Sequence, residues 1–91
     1  MSDISVTVAG PGRFTVEVRS GGSGTTHRVE ASPATLDGLG LAGEDPERVV
    51  RESFVFLLER EPASSIRRQF SLDVIPRYFP EYRDEIVRRL A

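Results

Sequence analysis

Residues 46–60, with the sequence PERVVRESFVFLLER, constrain the fold of this chain more than any other segment. Asp45 is a suitable N-cap, Pro46 suits the first helical position, and Pro62 prevents a helix from continuing far beyond Arg60. At ~100° per residue the apolar side chains cover more than half of the helix circumference, and they are Val49, Val50, Phe54, Phe56, Leu57 and Leu58. We therefore predict a largely buried helix between an N-terminal sheet and C-terminal helices.

The charged residues of the same segment gather on the remaining side of the predicted helix, and they include Arg48, Arg51, Glu52 and Glu59. Glu47 precedes Arg51 by four residues, which is the favourable order for an ion pair along a helix. Val55 lies among these charged residues.

The first 31 residues show the alternation that is typical of β-strands. Apolar residues occupy every second position on both sides of a turn at residues 10–12, and they are Ile4, Val6, Val8, Phe14, Val16 and Val18. This pattern predicts a β-hairpin. The segment SGGSG at residues 20–24 is typical of a flexible connector. Because a lone hairpin is marginal in water, we predict a third antiparallel strand over residues 25–31.

The region after the third strand predicts short helices. Ser32 and Pro33 fit the N-cap and the first position of a helix over Pro33–Leu39, which Gly38 and Gly40 would end. After Pro62 we expect a turn capped by Ser64 or Ser65, and it would carry Ile66 and Phe70.

The last 21 residues carry two prolines at positions that shape the predicted helices. Ser71 is a candidate cap for a helix in which Pro76 predicts a kink or a late start. Pro80 fits the first position of a last helix, whose apolar face would hold Tyr82, Ile86 and Leu90.

The order of these elements predicts an α+β fold, because the strands precede the helices along the chain. We predict an N-terminal three-stranded antiparallel meander packed on a central helix and short C-terminal helices. The length predicts a single domain over residues 1–91, with the meander in residues 1–31 and a helical part in residues 32–91.

Composition restricts the chemistry. The chain has no cysteine and one histidine, so we expect no disulfide and no metal site, and we predict no cofactor. No apolar run approaches the ~20 residues of a membrane span, and the N-terminus lacks the pattern of a signal peptide, so we expect a cytoplasmic protein without membrane contact. All twelve basic residues are arginine, but residues 46–91 hold nine arginines and eight acidic residues, which is no strong basic excess.

Two short patterns resemble ligand sites, and each has a simpler explanation. Residues 38–43, GLGLAG, match the GxGxxG pattern, but the preceding segment is no predicted strand and the next helix opens with acidic residues, so we expect a plain loop. Glu44, Asp45 and Glu47 could bind a divalent cation, but capping and the helix dipole explain them more simply. Asp84 and Glu85 each precede an arginine by four residues, which predicts a solvated helix face.

His27 alternates with Val29 and is expected on the core side of its strand. No nucleophile with an orienting partner is evident in the sequence, so we assign no catalytic residue. A histidine that is either satisfied by hydrogen bonds or on the surface is the favoured interpretation, and an enzyme using His27 or the carboxylates is the least favoured one.

Aromatic and arginine side chains alternate near the C-terminus and define the candidate interaction surface, which comprises Arg67, Arg68, Arg77, Tyr78, Tyr82 and Arg83. Such mixing can stack bases and pair with phosphates. The alternative is a packed aromatic corner with exposed arginines, and the neighbouring acidic residues favour it over nucleic-acid binding.

Four short blocks in the second half of the chain resemble a set of small uncharacterised prokaryotic proteins: FLLEREP at residues 56–62, SI at 65–66, FSLDVI at 70–75 and RYFPEY at 77–82. The resemblance covers about half of the chain, from Asp45 onward. It implies that these segments work as one unit, and it implies no activity, cofactor or catalytic residue.

Three functional hypotheses follow from the sequence. The first is a non-enzymatic protein-interaction module with an unidentified protein partner, because arginine and tyrosine are enriched at binding hot spots. The second is a nucleic-acid-binding protein using Arg67, Arg68, Arg77 and Arg83, and the third is a small enzyme. A free edge strand would also allow pairing across a two-fold axis, so both a monomer and a homodimer are compatible with the sequence.

Overall fold

The fold is an α+β arrangement in which helices cover one face of a mixed sheet. The computed structural model describes residues 2–91. The strands are β1 (Ser2–Gly10), β2 (Arg13–Ser20), β3 (Ser23–Glu30) and β4 (Gln69–Ser71), and the helices are α1 (Pro33–Gly38), α2 (Pro46–Leu58), α3 (Ile75–Tyr78) and α4 (Tyr82–Leu90). Two 3₁₀ turns, Ala63–Ser65 and Leu72–Val74, flank β4.

The sheet has the order β1-β2-β3-β4 and contains one strand more than we predicted. The first three strands form the expected antiparallel meander, and β4 then pairs with β3 in parallel, with Val29 opposite Phe70. The expected turn carrying Ile66 and Phe70 is therefore wrong, and residues 32–91 are not wholly helical. The strand escaped prediction because its three residues are too few to show an alternation.

The predicted flexible connector at residues 20–24 is also wrong. The strands β2 and β3 pair up to Ser20 and Ser23, so only Gly21 and Gly22 remain in the turn. Gly21 has a φ of 62°, a conformation that tight hairpin turns require and glycine adopts without steric cost. The glycine-rich segment therefore makes a tight hairpin turn.

The central helix α2 confirms the prediction that organises the fold. The Asp45 carboxylate accepts a hydrogen bond from the Glu47 backbone N–H at 3.2 Å, and Pro46 begins the helix. The Phe54 ring contacts rings on the sheet side, with its centroid 5.3 Å from that of His27 and 6.0 Å from that of Phe70. On the other side, Phe56 packs against the C-terminal segment, 5.3 Å from Tyr82 and 6.0 Å from Phe79.

The charged side of α2 is largely exposed, and its arginines contact backbone carbonyls of other elements. Arg51 donates to the Ile4 carbonyl of β1 at 2.9 Å, and the Glu47–Arg51 ion pair does not form. Arg48 donates to the carbonyls of Leu90 and Arg89 at 3.2 and 3.3 Å. Arg48 thus satisfies carbonyls that the end of α4 leaves free.

The starts of α1 and α3 agree with the predicted cap and proline, and the start of α4 does not. Ser32 caps α1 as predicted, and its hydroxyl accepts from the Thr35 backbone N–H at 3.2 Å. Pro76 lies in the first turn of α3, so the late start is confirmed. The predicted start of the last helix at Pro80 is wrong, because α4 begins at Tyr82. Its buried face nevertheless holds the three residues expected there, Tyr82, Ile86 and Leu90.

Candidate functional site

An open groove of about 350 Å³ lies between the end of α2, the chain leading into β4, and α3. Its apolar lining comprises Leu57, Ile66, Phe70, Val74, Ile75 and Phe79. Three of these, Phe70, Val74 and Phe79, are only half-buried, because the core covers one side of each and the groove leaves the other side open. The groove thus presents apolar surface beside polar residues, as ligand-binding clefts do.

Arg67 and Tyr78 form the rim of this groove. The Arg67 Nη2 donates to the Tyr78 hydroxyl at 2.7 Å, and the guanidinium carbon lies 5.5 Å from the centroid of the tyrosine ring. Tyr78 is nevertheless 60% exposed. The pair holds a large aromatic ring at the mouth of the groove with most of its surface open to a partner.

Five of the six residues of the predicted interaction surface are exposed, and they are Arg67, Arg68, Arg77, Tyr78 and Arg83. The structure brings Arg67 and Tyr78 into direct contact. Within residues 2–91, no hydrogen bond or ion pair joins the side chain of Arg68, Arg77 or Arg83 to that pair. Of the ten residues that line the groove, the sequence predicted only Arg67 and Tyr78 as surface contacts, because the neighbourhood of the others depends on how the helices pack.

Tyr82 is the exception, and its assignment to the surface is wrong. Its side chain is fully buried, and its hydroxyl lies 2.7 Å from the Ser53 Oγ, which in turn donates to the Val49 carbonyl at 2.6 Å. The hydroxyl of Tyr82 therefore donates to Ser53. Burial raises the pKa of Tyr82 to about 12, although the hydrogen bond with Ser53 acts in the opposite direction. Tyr82 belongs to the apolar face of α4, with its polar atom satisfied inside the core.

His27 is a core residue that contacts the backbone of the groove residue Arg67. It is 1% exposed, and its Nδ1 donates to the Arg67 carbonyl at 2.8 Å. The Nε2 lies 2.8 Å from the Thr25 hydroxyl, which can donate to it when the ring is neutral. His27 does not line the groove. Its role in this geometry is to tie β3 to the backbone of Arg67.

Where α2 packs against α4, two arginines form ion pairs with acidic residues. Arg89 donates to Glu59 at 2.6 Å, and Arg60 donates to Glu81 at 3.1 Å while its guanidinium stacks 3.6 Å from the centroid of the Phe56 ring. The hydrogen bond from Arg89 lowers the pKa of the Glu59 carboxyl below its ordinary value of 4.5. These arginines serve the contact between α2 and α4.

A second cleft, of about 780 Å³, lies where β2, β3 and β4 meet. Its lining is mainly polar and includes Arg13, Thr15, Arg28, Glu30, Gln69 and Ser71. Within residues 2–91, no group of three histidine or acidic side chains is placed to hold a metal ion, in this cleft or elsewhere.

The other patterns in the sequence serve the architecture. Gly38 ends α1, and Gly40 and Gly43 take positive φ values of 76° and 88° in the loop before α2. Of the two predicted pairs on α4, Glu85–Arg89 forms at 3.3 Å, whereas Arg88 lies 3.7 Å from Glu85 in place of the predicted pairing with Asp84. No helix in the described part of the chain is both long and apolar enough to cross a lipid bilayer.

Comparison with known proteins returns no relative. No protein-family model matches the chain, and neither the curated proteins nor the solved structures include a match. The resemblance to small prokaryotic proteins therefore stays a prediction.

Proposed function

We propose that this chain is a small non-enzymatic protein-interaction module whose contact surface is the groove and its Arg67–Tyr78 rim. The observation that carries the proposal is the exposed Tyr78 ring, which Arg67 holds at the mouth of an apolar groove. Tyrosine and arginine beside an apolar pocket are the side chains that most often dominate binding energy at protein interfaces. A tyrosine that is already oriented also loses little side-chain entropy when a partner binds.

The chemistry of the rim indicates what the partner presents. The groove floor is apolar and suits one large apolar side chain, such as leucine or phenylalanine. Arg67 and the neighbouring Arg77 are exposed and form no ion pair within residues 2–91. The partner in this proposal is therefore a protein with an exposed apolar anchor beside a carboxylate. We include a cytoplasmic location in the proposal, because a chain without cysteine gains nothing from an oxidising compartment.

The test is a comparison of matched variants. Tagged wild-type protein, Tyr78→Ala and Arg19→Ala are used to capture partners from nuclease-treated lysate, and each captured protein is then purified and titrated. Arg19 is a suitable control because it is an exposed arginine on β2, outside the groove. We expect Tyr78→Ala to weaken a directly titrated partner by ~10-fold or more, as hot-spot truncation does. If every captured protein binds Tyr78→Ala as tightly as the wild type, the proposal is wrong.

Nucleic-acid binding is the second candidate, and one observation favours it. Arg67, Arg68, Arg77 and Arg83 are all exposed, and none forms an ion pair within the described residues. Exposed arginines without an acidic partner can pair with phosphates, although the net charge of −2 opposes nonspecific binding. Binding of DNA or RNA that falls steeply with added salt and weakens in Arg77→Gln would favour this candidate. An absence of any binding at low salt would reject it.

A further inference from the structure

The outer edge of β1 carries a long row of backbone groups without a strand partner. β1 stands at one end of the strand order, is nine residues long, and pairs with β2 alone among the strands of residues 2–91. The strand at the opposite end, β4, has only three residues. Free edges of this length are templates for pairing with another chain, and proteins usually shorten, charge or cover them.

The register of the sheet shows which residues of β1 face this edge. Backbone groups of successive residues point to opposite sides of a strand. The Arg28 N–H bonds to the Arg68 carbonyl on the β4 side, so the backbone of Thr15, opposite Arg28, points to β1. Thr15 is opposite Thr7, which therefore points to β2. By the same alternation, the groups that point to the open edge belong to Ile4, Val6 and Val8.

A contact from the central helix agrees with this assignment. Arg51 donates to the Ile4 carbonyl at 2.9 Å, from outside the ladder between β1 and β2. A carbonyl oxygen has two lone pairs, so this contact leaves room for a second hydrogen bond from another strand.

The side chains at the edge are apolar, and its protection lies only at the two ends, where Arg51 contacts the Ile4 carbonyl and the register shifts between Val8 and Gly10. Ile4 and Val6 are half-buried, and Val8 is 63% exposed. Asp3 is the one charged residue in β1, and the strand contains no lysine and no proline. A row of apolar side chains over an open backbone edge is the combination that favours strand addition.

We propose that a second copy of this chain pairs with β1 in an antiparallel manner, across a two-fold axis at Val6. The occupant follows from the sequence of the strand, because an axis at Val6 places all three apolar outward-pointing residues, Ile4, Val6 and Val8, opposite one another in the two copies. Ile4 then lies opposite Val8 of the second copy, and Ser5 lies opposite Thr7. Asp3 lies opposite Ala9, which keeps the two carboxylates at opposite ends of the interface.

This register joins the residues whose backbone groups point outward. Val6 pairs with its symmetry equivalent, and each Ile4 pairs with a Val8, so about six backbone hydrogen bonds form. The two sheets become one continuous sheet, and the exposed face of Val8 is covered. Two-fold symmetric pairing of this kind closes the edge and prevents further growth from it.

The first test measures association. We expect wild-type protein to show a concentration-dependent monomer–dimer equilibrium by sedimentation, and we expect Val8→Lys to raise the dissociation constant by ~10-fold or more, since an edge lysine blocks pairing. Val87→Lys is the matched control, because Val87 is another exposed valine, 50% accessible, and lies on α4. A wild-type chain that stays monomeric up to ~1 mM overturns the proposal. If Val8→Lys and Val87→Lys raise the dissociation constant of the dimer equally, the interface lies elsewhere and the proposal is also wrong.

The second test measures the register, and the chain suits it because it contains no cysteine. Ser5 and Thr7 are both exposed. Opposite each other across the two-fold axis, they would form a non-hydrogen-bonded pair with Cα atoms ~4.5 Å apart, close enough for a disulfide. A mixture of Ser5→Cys and Thr7→Cys chains should therefore cross-link as mixed dimers faster than either variant alone. Equal rates in the mixture and in each variant alone contradict the axis at Val6.

Neither test depends on the groove. Tyr78→Ala should leave the dissociation constant of the dimer unchanged, and Val8→Lys should leave partner binding at the groove unchanged. Failure of one proposal is therefore distinguishable from failure of the other.

Discussion

At the scale of single residues, Tyr82 shows how a buried polar atom makes stability depend on pH. Its pKa of about 12 lies above the ordinary tyrosine value of 10.0, so the folded chain holds this proton more tightly than the unfolded chain. The stability that depends on the protonated hydroxyl is fully present below pH 10.0 and is lost as the pH rises towards 12. At ~1.4 kcal/mol per pKa unit, the loss amounts to roughly 3 kcal/mol.

The prediction is tested in a Tyr78→Phe background, in which Tyr82 is the remaining tyrosine of the chain. We expect the phenolate absorbance of Tyr82 to appear near pH 12. The helical circular dichroism should be lost in the same pH range. Tyr82→Phe is the control: it should cost about 1 kcal/mol at neutral pH, through the lost hydrogen bond to Ser53, and should lose less stability above pH 10.0. A phenolate that appears at pH 10.0 in a still folded chain would contradict the assignment.

Two patterns in the sequence made opposite predictions for Tyr82, and only one of them is confirmed. Helical periodicity placed Tyr82 beside Ile86 and Leu90, which is confirmed, while the alternation of aromatics and arginines placed it on the interaction surface, which is wrong. The helix argument was the stronger one, because a side chain on an apolar face is buried whatever its neighbours in sequence are. The partner Ser53 could not be predicted, because it lies 29 residues away on another helix.

At the scale of elements, the contact between α2 and α4 combines apolar packing with an ion pair. Arg89 reaches across from α4 to Glu59 at 2.6 Å, and its side chain is 18% exposed. Because the pKa of Glu59 is lowered in the folded state, the stability that its charge contributes is present above pH 4.5 and is lost as the pH falls through the folded pKa.

Glu59→Gln should therefore destabilise the protein by up to about 1 kcal/mol at neutral pH and low salt. Urea denaturation at several pH values measures the effect, and the difference from wild type should shrink at high salt and vanish well below pH 4.5. Glu17→Gln is the matched control, since the Glu17–Arg19 pair is longer, at 3.6 Å, and more exposed. An equal effect of both substitutions would show that the link between α2 and α4 adds nothing.

The elements differ in how well the sequence predicted them, and the difference has a physical cause. The helices α1 and α2 carry their own start signals, Ser32–Pro33 and Asp45–Pro46, and their first residues were predicted correctly. The strand β4 carries no such signal, because it is held by backbone pairing with β3, which lies about 40 residues earlier in the chain. Nonlocal pairing leaves little trace in three residues. The groove depends on that pairing, so its lining was predicted only in part.

At the scale of the whole molecule, α2 joins the two halves of the structure through two different aromatic residues. Phe54 contacts His27 and Phe70 on the sheet side, whereas Phe56 contacts Phe79 and Tyr82 on the helical side. Both rings are fully buried. Because one rigid helix carries both contacts, a loss of packing on either side should weaken the whole core, and the sheet and α4 should unfold as one cooperative unit.

Hydrogen exchange of the backbone amides tests this cooperativity. Phe54→Leu and Phe56→Leu should each lower stability by ~1–2 kcal/mol, since each removes part of a buried ring. We expect each substitution to reduce the opening free energy of the slowest amides in β2 and in α4 by the same amount, although each side chain touches only one of the two layers. Val87→Ala, at an exposed position of α4, should leave both sets unchanged. If Phe54→Leu weakens only the sheet amides and Phe56→Leu only those of α4, then α2 separates two independent units, and the bridging role of the central helix is wrong.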